Sequence, residues 1–436
     1  MAGFGASARE DVATNEVRTT AWRWVFLLAL ILFLAAAVRL ILTPLQQAAQ
    51  VDIGLSDVQI ATLKGMANGL PGFVVAIPLG IAIDHRNRAR LILWLALIWT
   101  AGAIMTPFAY GFTSLFVARA LVALGVGSLL GVMTSMIADY CPPQMRGRAM
   151  IVVGIAALAG PAFAFAGGGA LFGHFRTHGL ALFPGMTPWR LTTLVFAAIS
   201  VVMLLPVLLL REPKRHEVAT KSSAVMPALR GLIARWRFIV PLWVGGASVG
   251  LSEGAAGIWA APLLTRNYGL QPDQFGAMMG VLILLGGTIG SMIGGVLADR
   301  GSAGGRRGGV LFGALGATLL TIPAAAYPMM PTSAGFGVVL GLLIVFCTIS
   351  QVVTITAVTT LIPNEERGVC LALTSMAGTL VGLGAAPLAP LLAPVIYGDD
   401  RHLAEMLTWM GVVTGALALV GFLVAIRTAP RSWQDA

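Results

Sequence analysis

The chain has 436 residues, of which 57% are hydrophobic and 11% charged, with a formal charge of +10. Soluble globular domains are about a quarter charged, so this composition excludes one, and the mean hydropathy of +0.87 agrees. A basic nucleic-acid binder is excluded too, because the positive residues sit in short stretches between long apolar runs.

The first 22 residues are polar and lack the short apolar core and cleavage site of a secretory signal. They read as a cytoplasmic tail. Apolar segments follow at about 23–46, 58–83, 91–110, 113–138, 149–173, 191–210, 238–264, 275–298, 309–327, 335–361, 369–396 and 406–426. In hydrocarbon a helix satisfies its own backbone, so such runs are expected to be helices of roughly 20 residues or more. The expectation is an all-α membrane protein of twelve transmembrane helices. Its parts are a tail (1–22), an N-terminal six-helix bundle (23–210), a cytoplasmic linker (211–237), a C-terminal six-helix bundle (238–426) and a second tail (427–436). With both ends inside, the cytoplasmic pieces hold 21 Lys and Arg residues and the outer loops four, Arg176, Arg190, Arg266 and Arg401. That bias puts both termini in the cytoplasm, in an inner (cell) membrane. Cys141, Cys347 and Cys370 make neither a metal spacing nor a disulfide framework, and no cofactor or metal is expected.

The halves repeat. LGIAIDHR at 79–86 lines up with GGVLADRG at 294–301, LSDVQ at 55–59 with LQPDQ at 270–274, and PPQMRGR at 142–148 with PNEERGV at 363–369. Duplicated helix bundles are expected where two halves rock about a central site. The two bundles are therefore read as pseudo-symmetric.

The loop after the second segment carries Gly80, Asp84, Arg86, Arg88 and Arg90, and its core recurs as Gly295, Asp299 and Arg300. This resembles the signature loop of the major facilitator superfamily, with Asn87 in place of the usual second glycine. Arg119, Gly125 and Gly127 in the fourth segment resemble a second family motif, with Ala123 at the place of its first glycine. The stretches 38–65, 118–150 and 257–280 resemble the spinster-like branch, whose characterised members move lysolipids, sphingoid lipids and other amphiphiles. The resemblance implies the major facilitator fold, with the first, fourth, seventh and tenth helices lining the cavity. It also implies a cytoplasmic gate of Asp84, Arg88, Arg146, Arg148, Asp299, Arg300 and Arg367. The branch usually carries an acid before the first-helix arginine, where Val38 stands. It carries a glutamate after the second motif, where Val126 or Ser128 stands.

Four charges fall inside spans: Arg39, Lys64, Arg119 and Glu253. Each costs on the order of 2.5–3.5 kcal/mol by insertion scales, so each needs a partner or an aqueous cavity. At the 215-residue offset Glu253 occupies the place of Val38. It either titrates during transport or forms a static pair with Arg39. Lys64 lies within snorkelling reach of the outer interface. Asn68 and Gln351 either orient a substrate or bond helix to helix. The substrate-binding set is Arg39, Arg119, Asn68, Ser128, Glu253 and Gln351, with Glu253 also the proton-coupling residue.

The resemblance and the repeat imply a secondary active transporter working by alternating access, and the excess of three embedded cations over a single acid favours a substrate with an anionic group. Its substrate is a small amphipathic or organic-anion molecule, lysolipid-like at the larger end. The alternative is a proton-coupled exporter of neutral or cationic drugs using Glu253. A receptor on the same fold is argued against by the two gate loops. An enzyme is excluded by the lack of a nucleotide loop, a metal cluster or a Ser–His–Asp set within the spans. The partners expected are the substrate and membrane lipids, with the chain a monomer.

Overall fold

The computed structural model describes residues 3–213, 215, 225–385, 387–398 and 402–430. The Asp84 side chain, linker residues 216–224 and tail residues 431–436 lie outside the described residues and side chains. Among the described residues all regular structure is helical.

The first half comprises α1 (Gly3–Leu40), α2 (Gln46–Ile53), α3 (Asp57–Thr62), α4 (Asn68–His85), α5 (Arg88–Met105), α6 (Phe112–Gly127), α7 (Leu129–Tyr140), α8 (Pro143–His178) and α9 (Pro188–Leu208). The second comprises α10 (Val225–Ala234), α11 (Trp236–Tyr268), α12 (Pro272–Ala303), α13 (Phe312–Ala324), α14 (Ser333–Leu361), α15 (Asn364–Ala385), α16 (Leu388–Tyr397) and α17 (Leu403–Thr428). Among the described residues, ten helical stretches are long and apolar enough to cross a membrane.

Several of the twelve segments expected from sequence are not single helices; 113–138, for one, turns at Ser128 between α6 and α7. The stretch 58–83 divides into α3, a π turn at Leu63–Ala67, and α4, which carries Pro71 and Pro78. The stretch 369–396 breaks between α15 and α16, where Pro387 caps the new helix. Proline removes a backbone donor and its ring crowds the preceding turn, which gives the break at Pro387 its physical cause and weakens the start of α4 at Pro71. The polar stretch before residue 23 is not separate from the first helix, since α1 begins at Gly3. The linker contributes α10, which packs on α15 with Ala228 and Leu232 buried.

Buried apolar side chains gather in two cores. One is drawn from Ala21 to Leu210, the other from Leu232 to Ala429 together with Ala61 and Phe165. Long antiparallel α8 and α12 join them. Their closest approach is at Gly169 and Gly276: a Cβ on Gly276 would lie 2.4 Å from the Phe165 carbonyl oxygen, and one on Gly169 2.4 Å from that of Pro272. Only glycine lets the two backbones meet here.

Because α8 and α12 are antiparallel, the start of α8 and the end of α12 lie at one end of the molecule, and the first and last described spans begin and finish beside them. There Trp24 stacks on Tyr140 at 5.5 Å, and Arg307 donates to the Ala429 carbonyl at 2.5 Å. The opposite end is called the far end below.

Candidate substrate site and gates

Helix α1 stops at Leu40 because Pro44 has no N–H to continue it. The Ala37 carbonyl still accepts from Ile41 N, and the Leu40 carbonyl from Thr43 N. The carbonyls of Val38 and Arg39 are left for a side chain, and Arg119 of α6 supplies it. Arg119 is 2% exposed. Its Nη1 donates to Val38 O at 3.5 Å and its Nη2 donates to Arg39 O. Arg119 therefore caps a broken helix. The guanidinium expected among the substrate-binding groups thus also serves as a helix cap.

The Arg39 side chain is half-buried and lies against α6, about 4.0 Å from where a Cβ on Gly127 would be. Ser128 follows at the junction of α6 and α7 and is half-buried. Lys64 does not snorkel. It sits in the π turn, and its Nζ donates to Thr43 Oγ1 at 2.6 Å. Both Arg39 and Lys64 are close enough to Arg119 to repel it. Asn68 holds the π turn from below: its N–H donates to Gly65 O and its Nδ2 to Lys64 O at 2.9 Å. Its Oδ1 is buried without a partner.

On the other half, Gln351 of α14 donates its amide to Glu253 Oε2 across to α11. Among the described residues no ion pair joins Glu253 to Arg39. The static pair considered from sequence is absent from this conformation. The Gln351 side chain also lines a cavity of about 270 Å³ between α11, α14 and α15, with Trp243, Gly250, Thr354 and Gly378. Trp243 Nε1 donates to Thr374 Oγ1 at 2.9 Å across this cavity's wall.

At the end bearing the termini, the ion pairs found stay within a half. Arg88 is 2% exposed, pairs with Asp139 at 2.6 Å and Glu212 at 2.8 Å, and donates to Ser135 Oγ at 2.9 Å. Its burial ties α5 to α7 and to the chain after α9, at the end where the cytoplasmic gate is expected. Arg235 pairs with Glu366 at 2.6 Å. Asp299, Arg148 and Arg300 are exposed. Arg300 lines a groove between α12, α13 and α14, with Leu297 and Phe312. Arg146 Nε donates to Cys141 O at 3.3 Å, and Arg367 Nη2 to Ile362 O at 3.3 Å.

The far end is closed by pairs that cross between halves. Arg266 of α11 donates to both Asp57 oxygens, to Gln47 Oε1 at 2.9 Å and to Gln50 Oε1 at 3.1 Å. Arg176 of α8 pairs with Asp273 of α12 at 2.9 Å. Asp57 and Asp273 open helices whose N-termini are built alike. Gln59 Oε1 accepts from Ser56 N at 2.9 Å, and Gln274 Oε1 accepts from Gln271 N at 2.8 Å. At the 215-residue offset Ser56 and Gln59 fall on Gln271 and Gln274, while the two acids are one place out of register, Asp57 on Pro272 and Asp273 on Val58. The repeat marks both helix starts, but the arginine partners lie at distant helix ends that no local spacing marks.

Known proteins resemble the chain at several levels. A probable 4-methylmuconolactone transporter of Cupriavidus pinatubonensis (strain JMP 134 / LMG 1197) is 25% identical over 355 residues, 80% of this chain and 77% of that one. A bacterial homologue of the human lysosomal transporter Spinster, in an inward-facing and unoccupied conformation, superposes with a TM-score of 0.80 at 20% identity. That match covers 95% of this chain and 98% of the other. The nucleoside transporter NupG gives 0.70 at 12% identity, covering 93% and 98%. The Major Facilitator Superfamily model matches residues 28–252, more than half of the length. An integral membrane protein of this fold, the chain belongs to the major facilitator superfamily and is a transporter rather than an enzyme.

Proposed function

We propose that the chain is a secondary active transporter for a small organic anion with an apolar body, working by alternating access. The observation that carries this is the set of embedded cations on the first half. Arg39, Lys64 and Arg119 share one neighbourhood, and no carboxylate among the described residues pairs with any of them. Embedded charge without a counter-charge calls for an anionic ligand or water. The relative named for a lactone weighs toward a compact substrate. The fold shared with the spinster homologue keeps a lysolipid-like amphiphile as the larger end of the range.

The proposal includes twelve spans, with α3–α4 and α15–α16 each crossing once. They are grouped as a first bundle (23–210) and a second (238–426) about a linker. The positive-residue bias places both termini in the cytoplasm of a cell carrying the protein in its inner membrane. Closed at the far end, the conformation is then inward-facing. Asp84 and Asp299, with Arg146, Arg148, Arg300 and Arg367, would meet only when the cytoplasmic end closes. Substrate would lie among Arg39, Ser128, Asn68, Glu253 and Gln351 in a monomer surrounded by lipid. One observation favours a second reading, proton-coupled export of neutral or cationic compounds: the Glu253 carboxylate contacts a neutral amide, not a cation.

Flux into proteoliposomes, with pH gradients imposed in either direction, separates the readings. Organic anions, lysolipids and hydrophobic cations are the panel. Saturable anion flux is expected. Flux of hydrophobic cations alone would replace this reading with the second.

A further inference from the structure

The elbow between α1 and α2 holds more polar groups than its own structure uses. Lys64 and Arg119 each stand seven residues past the far-end start of their helix stretch, at Asp57 and Phe112. At 1.5 Å per residue both lie about 10 Å in from that end. Arg119 is committed to two carbonyls of α1. Lys64 is not so committed. An ammonium has three donors, and among the described residues the Lys64 Nζ has one hydrogen-bond partner, Thr43 Oγ1.

Three residues on from Thr43 stands Gln46, 1% exposed, with neither Nε2 nor Oε1 hydrogen-bonded. Asn68, one turn below Lys64, leaves its Oδ1 buried and unpartnered. Buried polar atoms are nearly always satisfied, so orphaned amide atoms on Gln46 and Asn68, on the two segments that the Lys64–Thr43 bond joins, mark a place where something polar belongs. The π turn puts Lys64 there. Such turns insert one residue into a helix, shift its facing, and recur at functional sites. Arg119 holds the end of α1, from which the chain runs on to Thr43.

We propose that Lys64, with Thr43 and Gln46, forms the recognition site for the anionic head of the substrate, a carboxylate, and that Lys64 is its specificity-determining charge. This rests on the anion reading above and goes beyond it, since Arg39 had been the expected ligand and Lys64 a residue anchored at the interface. A carboxylate accepts from the ammonium donors that remain and from Gln46 Nε2, while the acceptors Gln46 Oε1 and Asn68 Oδ1 are left to a water or to a hydroxyl of the substrate. A neutral amide of the same shape presents a single acceptor oxygen and no charge.

The experiment uses the full chain purified in detergent. Thermal unfolding is followed with acetate, benzoate and laurate, each against its neutral amide, for wild type, Lys64→Met, Lys64→Arg and Arg39→Ala. At least one carboxylate is expected to raise the wild-type melting temperature while its amide does not. Lys64→Met should weaken that carboxylate's binding at least tenfold, and Lys64→Arg should keep part of it. Thr43→Val, which keeps the charge and removes the hydroxyl, should weaken it only a few-fold. It also serves if Lys64→Met fails to fold: unchanged benzoate or laurate affinity in both Thr43→Val and Lys64→Arg would then count against the site. If Lys64→Met binds like wild type while Arg39→Ala does not, the anion reading stands and the Lys64 site is overturned. If no carboxylate binds the wild type, both fall. A Lys64→Met protein of lower melting temperature with an undiminished ligand shift would make Lys64 a structural prop only.

Discussion

Arg266 holds Asp57 in a fork, Nη1 to Oδ2 at 2.7 Å and Nη2 to Oδ1 at 2.6 Å, across the boundary between the two halves. Gln50 braces the same carboxylate at 2.6 Å. Burial alone would raise the pKa of Asp57. The hydrogen bonds from Arg266 and Gln50 and the charge of Arg266 outweigh it and hold the acid below its ordinary value. A depressed carboxylate contributes stability above its ordinary value, about 3.9, and loses it as pH falls through the lower one. The latch is therefore fully engaged from pH 5 to 8 and opens only in stronger acid. Asp57→Asn and Arg266→Ala should each raise labelling of a cysteine introduced at the far end. A partly exposed pair is worth about 0.5–1 kcal/mol, so a population shift of roughly two- to fivefold is expected. Labelling equal to wild type in both variants would show that other contacts hold this end shut.

Arg119 gives a different expectation from Arg39, although both are arginines of the same cluster. Arg119→Ala strips two α1 carbonyls of their donor, and a charge-assisted bond of this kind is worth roughly 1.5–3 kcal/mol. The loss should appear as a lower melting temperature without any ligand. Arg39→Ala should leave that temperature near wild type and lower affinity for the substrate. Thermal unfolding with and without substrate separates the two. A stable Arg119→Ala protein that has lost only affinity would return Arg119 to the cavity.

Most of the fold was legible because hydrophobic length leaves few choices in a membrane. The interruptions at 63–67 and near 386 were not, since a π turn has no local signature in LKGMA and apolar runs continue through both. The charged residues were found by counting, but not their partners. Lys64 was placed at the interface because depth alone suggested it. The side chain of Thr43, on another segment, decides otherwise. Arg88 looked like one of three loop cations, and its burial depends on Asp139 and Glu212, each distant in sequence. Gln351 was a candidate polar group, but no spacing linked it to Glu253.

The crossing of α8 and α12 is a lever on the conformational equilibrium. A methyl at Gly276 would strike the Phe165 carbonyl oxygen, a backbone atom that no rotamer change moves. In a state open at the far end the two helices would be apart, and the methyl would meet nothing. Gly276→Ala should therefore bias the protein toward that state. Spin labels at the far ends of α8 and α12 should report longer distances than in wild type. An unchanged distance distribution would mean that the helices slide along one another rather than separate.

Glu253 is the last test, because it decides between anion transport and proton-coupled export. Its carboxylate touches Gln351, and no cation among the described residues pairs with it. A carboxyl in that position can carry a proton across without first breaking an ion pair. Glu253→Gln removes the titrating group and keeps the shape. It should abolish accumulation driven by a pH gradient and leave substrate exchange across equilibrated membranes. Gln351→Ala should do less: it removes one donor to the carboxylate but not the proton site, so accumulation should persist with an altered pH profile. A structural role predicts another pattern, with exchange and accumulation lost together in both variants and expression lowered. Counterflow of radiolabelled substrate in proteoliposomes at symmetrical pH, run beside uptake under an imposed gradient, distinguishes these cases. If well-folded Glu253→Gln protein still accumulates substrate along the gradient, the carboxyl is not the proton carrier. The cations on the first half then leave uniport or anion exchange as the form of transport.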